Sequence, residues 1–226
     1  SARLAVAAGV SEPTVNRFCR SLGCRGFPDF KLRLAQTLAN PASFQVRGLD
    51  DNDSSLQLAD KMFETAMSRI NRARTRLPEQ DLLGVVGEIL DCRRLLIYGL
   101  GPTSGLARGA QDLFIGAPIA VVVHTDAVIQ ELTANTASSD DLFLFLCTNG
   151  ETAPMVQSAT LADERSARLI AIAPTGSPLA RACHRTIDLV LDSSSATMAG
   201  FTNRLVCQIV LEVLGESVQL AGRTQR

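Results

Sequence analysis

Three short segments concentrate the residue types that grip a phosphate or a polyhydroxy ligand. They are Gly99-Leu100-Gly101-Pro102-Thr103-Ser104-Gly105, Cys147-Thr148-Asn149-Gly150-Glu151-Thr152 and Pro174-Thr175-Gly176-Ser177. Each follows a run of apolar residues and leads toward a stretch with helical spacing. Glycine lets backbone N–H groups approach an anion, and Ser and Thr add hydroxyls. A helix that starts immediately afterwards supplies unpaired N–H groups and the positive end of its dipole. In the second segment Thr152 stands at a cap position and Pro154 in the first helical turn, while Asn149-Gly150 suits a left-handed bend. Taken singly, such loops also serve as ordinary strand-to-helix turns. Three of them on one sheet edge favour a phosphorylated or polyhydroxy ligand.

Other chemistries fit less well. Gly99-Leu100-Gly101 opens a dinucleotide fingerprint, and Asp126 follows the next strand where a ribose-binding acid would sit, but position 104 is Ser instead of Gly. An isomerase needs a placed base, for which Glu131, Glu151, His124 and His184 are the candidates. The histidines equally suit strand ends, and a helix dipole alone accounts for Glu151. His124 and His184 are the only histidines. The six cysteines (19, 24, 92, 147, 183, 207) form no C-x-x-C pair, so neither a metal site nor a disulfide framework is expected. No catalytic residue, metal or cofactor is assigned, and the thiols read as reduced, buried and cytoplasmic.

The elements that position these loops are legible from apolar spacing. Arg94–Tyr98, Ile119–Val123, Leu142–Leu146, Leu169–Ala173 and Thr186–Leu191 are short apolar runs alternating with helical stretches, the last being Thr202–Val218. Runs apolar along their whole length indicate a parallel sheet covered by helices on both faces, the α/β class. Ahead of them, Leu56, Ala59, Met62, Phe63, Ala66 and Ile70 mark one amphipathic helix and Leu82–Leu90 another. No apolar run reaches the roughly 20 residues of a membrane span.

The first 40 residues have a different grammar. Leu4, Val6, Ala7 and Val10 trace a short helix stopped at Gly9. Ser11-Glu12-Pro13 then opens a second helix with Val15, Phe18, Cys19 and Leu22 inward, ended by Gly23. A third runs from Phe27 to Leu38, and Asn40–Asp53 reads as a linker. Short helices joined by Gly-containing turns are helix-turn-helix grammar. The net charge of −1 conceals a division. Residues 1–47 hold seven Lys or Arg against Glu12 and Asp29, giving +5, and the remaining 15 basic and 21 acidic residues give −6. A basic head on an acidic body predicts nucleic acid as the head's partner.

Ser11-Glu12-Pro13-Thr14-Val15-Asn16-Arg17-Phe18-Cys19-Arg20-Ser21-Leu22-Gly23, followed by Gly26-Phe27-Pro28-Asp29-Phe30-Lys31, strongly resembles the RpiR-type bacterial transcription regulators, most of all their hexose-metabolism (HexR-like) branch. The rest of the chain resembles that family's sugar isomerase (SIS) domain, which implies a flavodoxin-like α/β fold, a parallel sheet flanked by helices. The resemblance implies a transcription factor of carbon metabolism, not an enzyme. Its effector would be a sugar phosphate, 2-keto-3-deoxy-6-phosphogluconate in the HexR-like branch. It also implies a homodimer or homotetramer, and no membrane partner. Ser11, Thr14, Asn16, Arg17, Arg20 and Lys31 would then meet DNA. Gly99, Gly101, Thr103, Ser104, Cys147, Thr148, Asn149, Gly150 and Thr152 would meet the effector. The domains are a partial helix-turn-helix head (1–40, its family's leading helices lying before residue 1), a linker (41–54) and an SIS domain (55–226). A SIS-fold sugar-phosphate isomerase is the alternative. Where the family's second loop reads Ser-x-Ser-Gly-x-Ser/Thr, this chain has Cys147 and Asn149 in place of both serines. That substitution bears directly on which effector the loop accepts.

Overall fold

The computed structural model describes residues 2–21, 23–31, 50, 52–189 and 196–224, and the chain divides into two compact units, residues 1–45 and 46–226.

In the smaller unit, α1 (Ala2–Ala7) and α2 (Glu12–Ser21) are joined by a turn. Gly9 (φ +64°) and Gly23 (φ +75°) take the left-handed conformation that closes each helix. The Val10 N–H reaches the Ala5 carbonyl, and the Cys24 N–H reaches that of Cys19, at 3.0 Å in both cases. Ser11 caps α2 from its side chain (Thr14 N to Ser11 Oγ, 3.4 Å). Residues 27–31 are helical; Leu22, Arg33, the rest of the expected third helix and most of the expected linker lie outside the described residues. The small core is Ala5, Val15, Cys19 and Cys24, with Phe27 and Phe30 against it. Phe18, expected inward, is instead 53% exposed and meets Phe30 edge-on at 6.1 Å. On α1 it is Ala5 that turns inward, while Leu4, and Val10 beyond the helix, are exposed. Helices this short bury only one narrow stripe.

The larger unit begins with α3 (Ser55–Arg76) and α4 (Glu79–Asp91). Next come β1 (Arg94–Gly99), a 3₁₀ turn at Gly101–Thr103, α5 (Ser104–Leu113), β2 (Ala120–His124) and α6 (Ala127–Asn135). The series continues with β3 (Asp141–Leu146), α7 (Ala153–Glu164), β4 (Arg168–Ala173), α8 (Pro178–Ala182), β5 (Arg185–Asp188) and α9 (Ala196–Thr224). The strands are all parallel, in the order β2-β1-β3-β4-β5.

Alternate strand residues feed two cores. Leu95, Ile97, Leu142, Leu144, Ile170 and Ile172 pack with α4, α5 and α9. Leu96, Tyr98, Phe143, Phe145, Leu169 and Ala171 pack with α6, α7 and α8. Both faces of the central strands are buried, so they read as continuous apolar runs. At the amino ends of the strands, Asp141 is fully buried and clamped by Arg94 through Nε (2.9 Å) and Nη2 (2.8 Å). It also accepts the Ser138 N–H at 2.9 Å.

Two expectations change. On α3, the inner face is Thr65, Ala66, Ser68, Arg69 and Ala73, whereas Leu56 (73%) and Phe63 (69%) are exposed. This helix is apolar on more than one side, and its tight contact with α9 selects small residues. In α9, the window Gly200–Gly222 has a mean hydropathy of 1.4 and is long and apolar enough to span a membrane. No comparable run is evident from the sequence because Arg204, Glu212 and Glu216 interrupt it. In the fold its Val206, Cys207, Val210, Leu211, Leu214 and Val218 pack into the first core.

Candidate functional site

In a parallel sheet of this order the chain winds outward in both directions from the boundary between β1 and β3, which opens a crevice at their carboxyl ends. The first two Gly-rich loops leave β1 and β3 there, and the third leaves β4. The sequence-assigned effector residues therefore converge at the fold's switch point.

The first loop is built by close packing. A Cβ on Gly99 would lie 2.6 Å from the Thr103 carbonyl oxygen and 2.8 Å from the Ala107 Cβ, so only glycine fits. Gly101 (φ +52°) makes the reversal. Thr103 is 2% exposed; its hydroxyl donates to the Leu146 carbonyl (2.7 Å) and accepts the Leu100 N–H (3.2 Å). That hydroxyl ties the first loop to the end of β3 and faces away from solvent. The Ser104 hydroxyl, at the surface, donates back to the Gly101 carbonyl (2.8 Å).

In the second loop Cys147 is buried. Asn149 Oδ1 gathers the Glu151 N–H (3.1 Å), the Cys147 thiol (3.1 Å) and the Thr152 hydroxyl (3.4 Å). Asn149 thus organises the bend internally. Gly150 (φ +67°) is pressed so closely on Ser177 that a Cβ there would lie 2.1 Å from Ser177 Oγ. Its carbonyl accepts the Leu179 N–H at 3.0 Å. Thr152 occupies the cap position of α7, but its side chain makes no capping bond, having gone to Asn149. The backbone N–H groups of Thr148, Asn149, Gly150, Thr152 and Ala153 have no acceptor among the described residues. Free backbone N–H groups at a helix start suit an anion. Among the described residues no group of three or more His, Cys, Asp and Glu is placed to hold a metal.

Two residues at this site carry no obvious sequence signal. Asn203 on α9 donates Nδ2 to the Thr148 carbonyl (3.1 Å), and the buried Arg69 on α3 donates to Asn203 Oδ1 (3.5 Å). The available clue is a polar residue interrupting the inward face of an otherwise apolar helix.

The residues considered for other chemistry are occupied elsewhere. The Asp126 carboxylate caps α6, accepting from Val128 N (3.0 Å) and Ile129 N (3.1 Å). His184 accepts the Leu169 N–H through Nδ1 (3.1 Å) and pairs with Asp163 (3.0 Å), at the strand end opposite the loops. His124 lies edge-on to Tyr98 at 5.8 Å, and burial holds its pKa below the usual value. Glu131 is exposed and accepts from Gln157 (3.3 Å); Glu151 is exposed beside the second loop.

In the smaller unit Arg17, Arg20 and Lys31 are exposed, as the sequence places them. Ser11 and Thr14 share a hydrogen bond at 2.9 Å, and Arg17 donates to Thr14 Oγ1 at 3.4 Å. Asn16 is half-buried and accepts the Phe27 N–H through Oδ1 (3.2 Å), which fixes the following helix against α2.

A helix-turn-helix unit joined to a doubly wound sheet with Gly-rich loops at its switch point defines a two-part protein, a DNA-binding head with a SIS-type domain. Residues 1–41 match the helix-turn-helix domain of the rpiR family, and residues 88–214 match the SIS domain. The HTH-type transcriptional regulator HexR of Pseudomonas aeruginosa is 35% identical over 219 residues, 97% of this chain and 77% of HexR. The chain belongs to the RpiR family of helix-turn-helix transcriptional regulators with a SIS domain, and is HexR-like. The fold is shared with the Vibrio vulnificus NanR protein complexed with ManNAc-6P (TM-score 0.67, 20% identity, 97% of this chain and 78% of NanR). It is also shared with the phosphoheptose isomerase GmhA of Neisseria gonorrhoeae (TM-score 0.62, 13% identity, 74% of this chain and 99% of GmhA).

Proposed function

We propose that this chain is a sensor of a phosphorylated sugar acid of the 2-keto-3-deoxy-6-phosphogluconate type, and that occupancy of its SIS domain changes how its head binds operator DNA. The observation that carries the reading is the set of backbone N–H groups in the Cys147–Thr152 loop with no acceptor among the described residues, beside the glycine-built Gly99–Gly105 loop. A phosphate satisfies such groups without needing the hydroxyls that Cys147 and Asn149 replace. Gly99, Gly101, Gly150 and the main chain of Thr148 and Asn149 bind in this reading, while Thr103, Ser104, Cys147 and Thr152 shape the cradle. In the head, Arg17 and Arg20 meet phosphates and base edges, Ser11, Thr14 and Asn16 set the angle of that helix, and Lys31 meets the backbone. The head spans 1–40, the linker 41–54 and the sensor 55–226, and the protein works in the cytoplasm.

We further propose a homodimer or a dimer of dimers. Leu56, Phe63 and Met67 on α3 are exposed. An apolar groove of about 280 Å³ runs between α3 and α9, lined by residues including Ile70, Leu77, Val206, Ile209 and Val213. A second copy would cover this surface.

A thermal-shift panel of sugar phosphates tests the sensor: an effector at 100 times its Kd adds about 2.7 kcal/mol of stability. No stabilisation by any member sinks the reading. The isomerase alternative, favoured by the fold shared with sugar-phosphate isomerases such as GmhA, requires turnover of a sugar phosphate that is lost in Glu131→Gln or Glu151→Gln.

A further inference from the structure

Helix α3 opens the larger unit, so the chain coming from the head arrives at its first turn. That arrival is fastened. Ser54 and Gln57 form a reciprocal cap, and Lys61 grips the Asp53 carboxylate at 2.7 and 2.6 Å. Further along α3, Arg69 is 3% exposed and donates Nη1 to Asn203 Oδ1 at 3.5 Å. Asn203, also 3% exposed, donates Nδ2 to the Thr148 carbonyl at 3.1 Å. The Thr148 carbonyl and the Asn149 N–H belong to one peptide group, and that N–H has no acceptor among the described residues. Four groups therefore lie in series: the Asn149 N–H, its own carbonyl, the Asn203 amide and the Arg69 guanidinium.

We propose that Asn203 and Arg69 are positioning residues of the anion loop and carry its occupancy to α3. The proposal rests on the phosphate reading of that loop. An anion on the Asn149 N–H polarises the peptide, which makes the Thr148 carbonyl a stronger acceptor for Asn203. The polarised amide in turn presents a more negative Oδ1 to Arg69. Every dipole in the series points the same way, with the anion at one end and a buried cation at the other. Binding at the loop thus tightens the hold on the helix that receives the chain from the head. Conversely, the buried cation strengthens the loop's hold on an anion.

The test uses the full chain, with 2-keto-3-deoxy-6-phosphogluconate and inorganic phosphate as probes, titration calorimetry for affinity and hydrogen exchange for transmission. In the wild type, the probe protects amides of the 147–152 loop and of α3 around Ala66–Ala73. In Asn203→Ala, affinity falls about three- to tenfold, the worth of one hydrogen bond, and the α3 protection disappears while loop protection remains. Asn203→Asp binds more weakly still, because its carboxylate cannot donate to the carbonyl and neutralises Arg69; mere loss of packing would not give that order. Arg69→Lys keeps the charge but loses the planar fork, and it sits between wild type and Asn203→Ala. Wild-type affinity in both Asn203 variants, or α3 protection that survives Asn203→Ala, overturns the proposal alone. Failure of both probes to bind the wild type overturns the sensor reading and this proposal with it. Should Arg69→Lys fail to fold, the Asn203 pair decides the question.

Discussion

The contact between Gly150 and Ser177 yields the most stringent prediction. Gly150 sits at φ +67°, and a Cβ there would lie 2.1 Å from Ser177 Oγ, 2.3 Å from Ser177 Cβ and 3.3 Å from Pro174 Cδ. In Gly150→Ala the left-handed backbone alone costs about 1–2 kcal/mol. The overlap cannot be relieved by a side-chain rotation, since Ser177 Cβ is fixed to the backbone, and forced overpacking adds about 1–3 kcal/mol. The expected destabilisation is therefore about 2–5 kcal/mol, or a Tm lower by roughly 4–20 °C for a domain of this size. Because relief requires the Asn149–Thr152 backbone to shift, the N–H cradle opens and sugar-phosphate affinity drops by about tenfold or more. Ser177→Gly removes both clashing atoms at the expense of a weak cap on Ala180 (3.3 Å). The double variant should therefore recover about 1–3 kcal/mol, leaving mainly the backbone term. Urea unfolding and calorimetric titration of all four forms measure this cycle. A Gly150→Ala protein within about 0.5 kcal/mol of wild type, or one that Ser177→Gly fails to rescue, refutes the account of how the two loops are braced.

Asp141→Asn tests the opposite edge of the sheet. Burial would raise this carboxyl's pKa, but the Arg94 hydrogen bonds and the Ser138 N–H outweigh it and hold the pKa below 3.8. Its stabilisation is thus present above the unfolded-state value and is lost as pH falls through the folded-state value. The variant should lose roughly 1–3 kcal/mol at neutral pH, less than a fully buried pair because Arg94 is partly exposed, and the gap should close as pH drops below 3.8. A gap that is constant with pH counts against an ionic origin. In the head, Arg17→Ala/Arg20→Ala should weaken gel retardation of genomic fragments retained by the wild type and flatten its salt dependence by roughly the two phosphate contacts removed. Unchanged retardation would remove these arginines from the interface. Gly87→Ala, on the exposed side of α4 with open space around its Cβ, should stabilise by about 0.5–1 kcal/mol in the same urea assay. A loss of stability there would contradict the geometry of α4.

How much of this was legible in the sequence follows from which physical signals are local. The central strands β1, β3 and β4 declared themselves because residues buried on both faces must be apolar almost throughout, and the loops because Gly99 and Gly150 admit no other residue. The choice of face on α3 was not legible. Leu56 and Phe63 have the spacing of an inner stripe, but close approach to α9 favours Ala66 and Ala73, and that demand comes from a partner more than a hundred residues away. The same applies to the site's hydroxyls. Thr103 carries the residue type of a ligand donor, yet its hydroxyl is used on the Leu146 carbonyl across 43 residues of sequence. Asn149, an apparent loss of a phosphate ligand, supplies the acceptor that organises the bend. Type and spacing locate the loop cluster at the switch point because glycine and helix starts are backbone properties. Which side chains face the ligand and which brace the loop depends on hydrogen bonds between distant segments. Cys147 and Asn149 serve the bracing of the loop, and in the proposed sensor the backbone N–H groups carry the anion, with its selectivity set by whatever surrounds the phosphate.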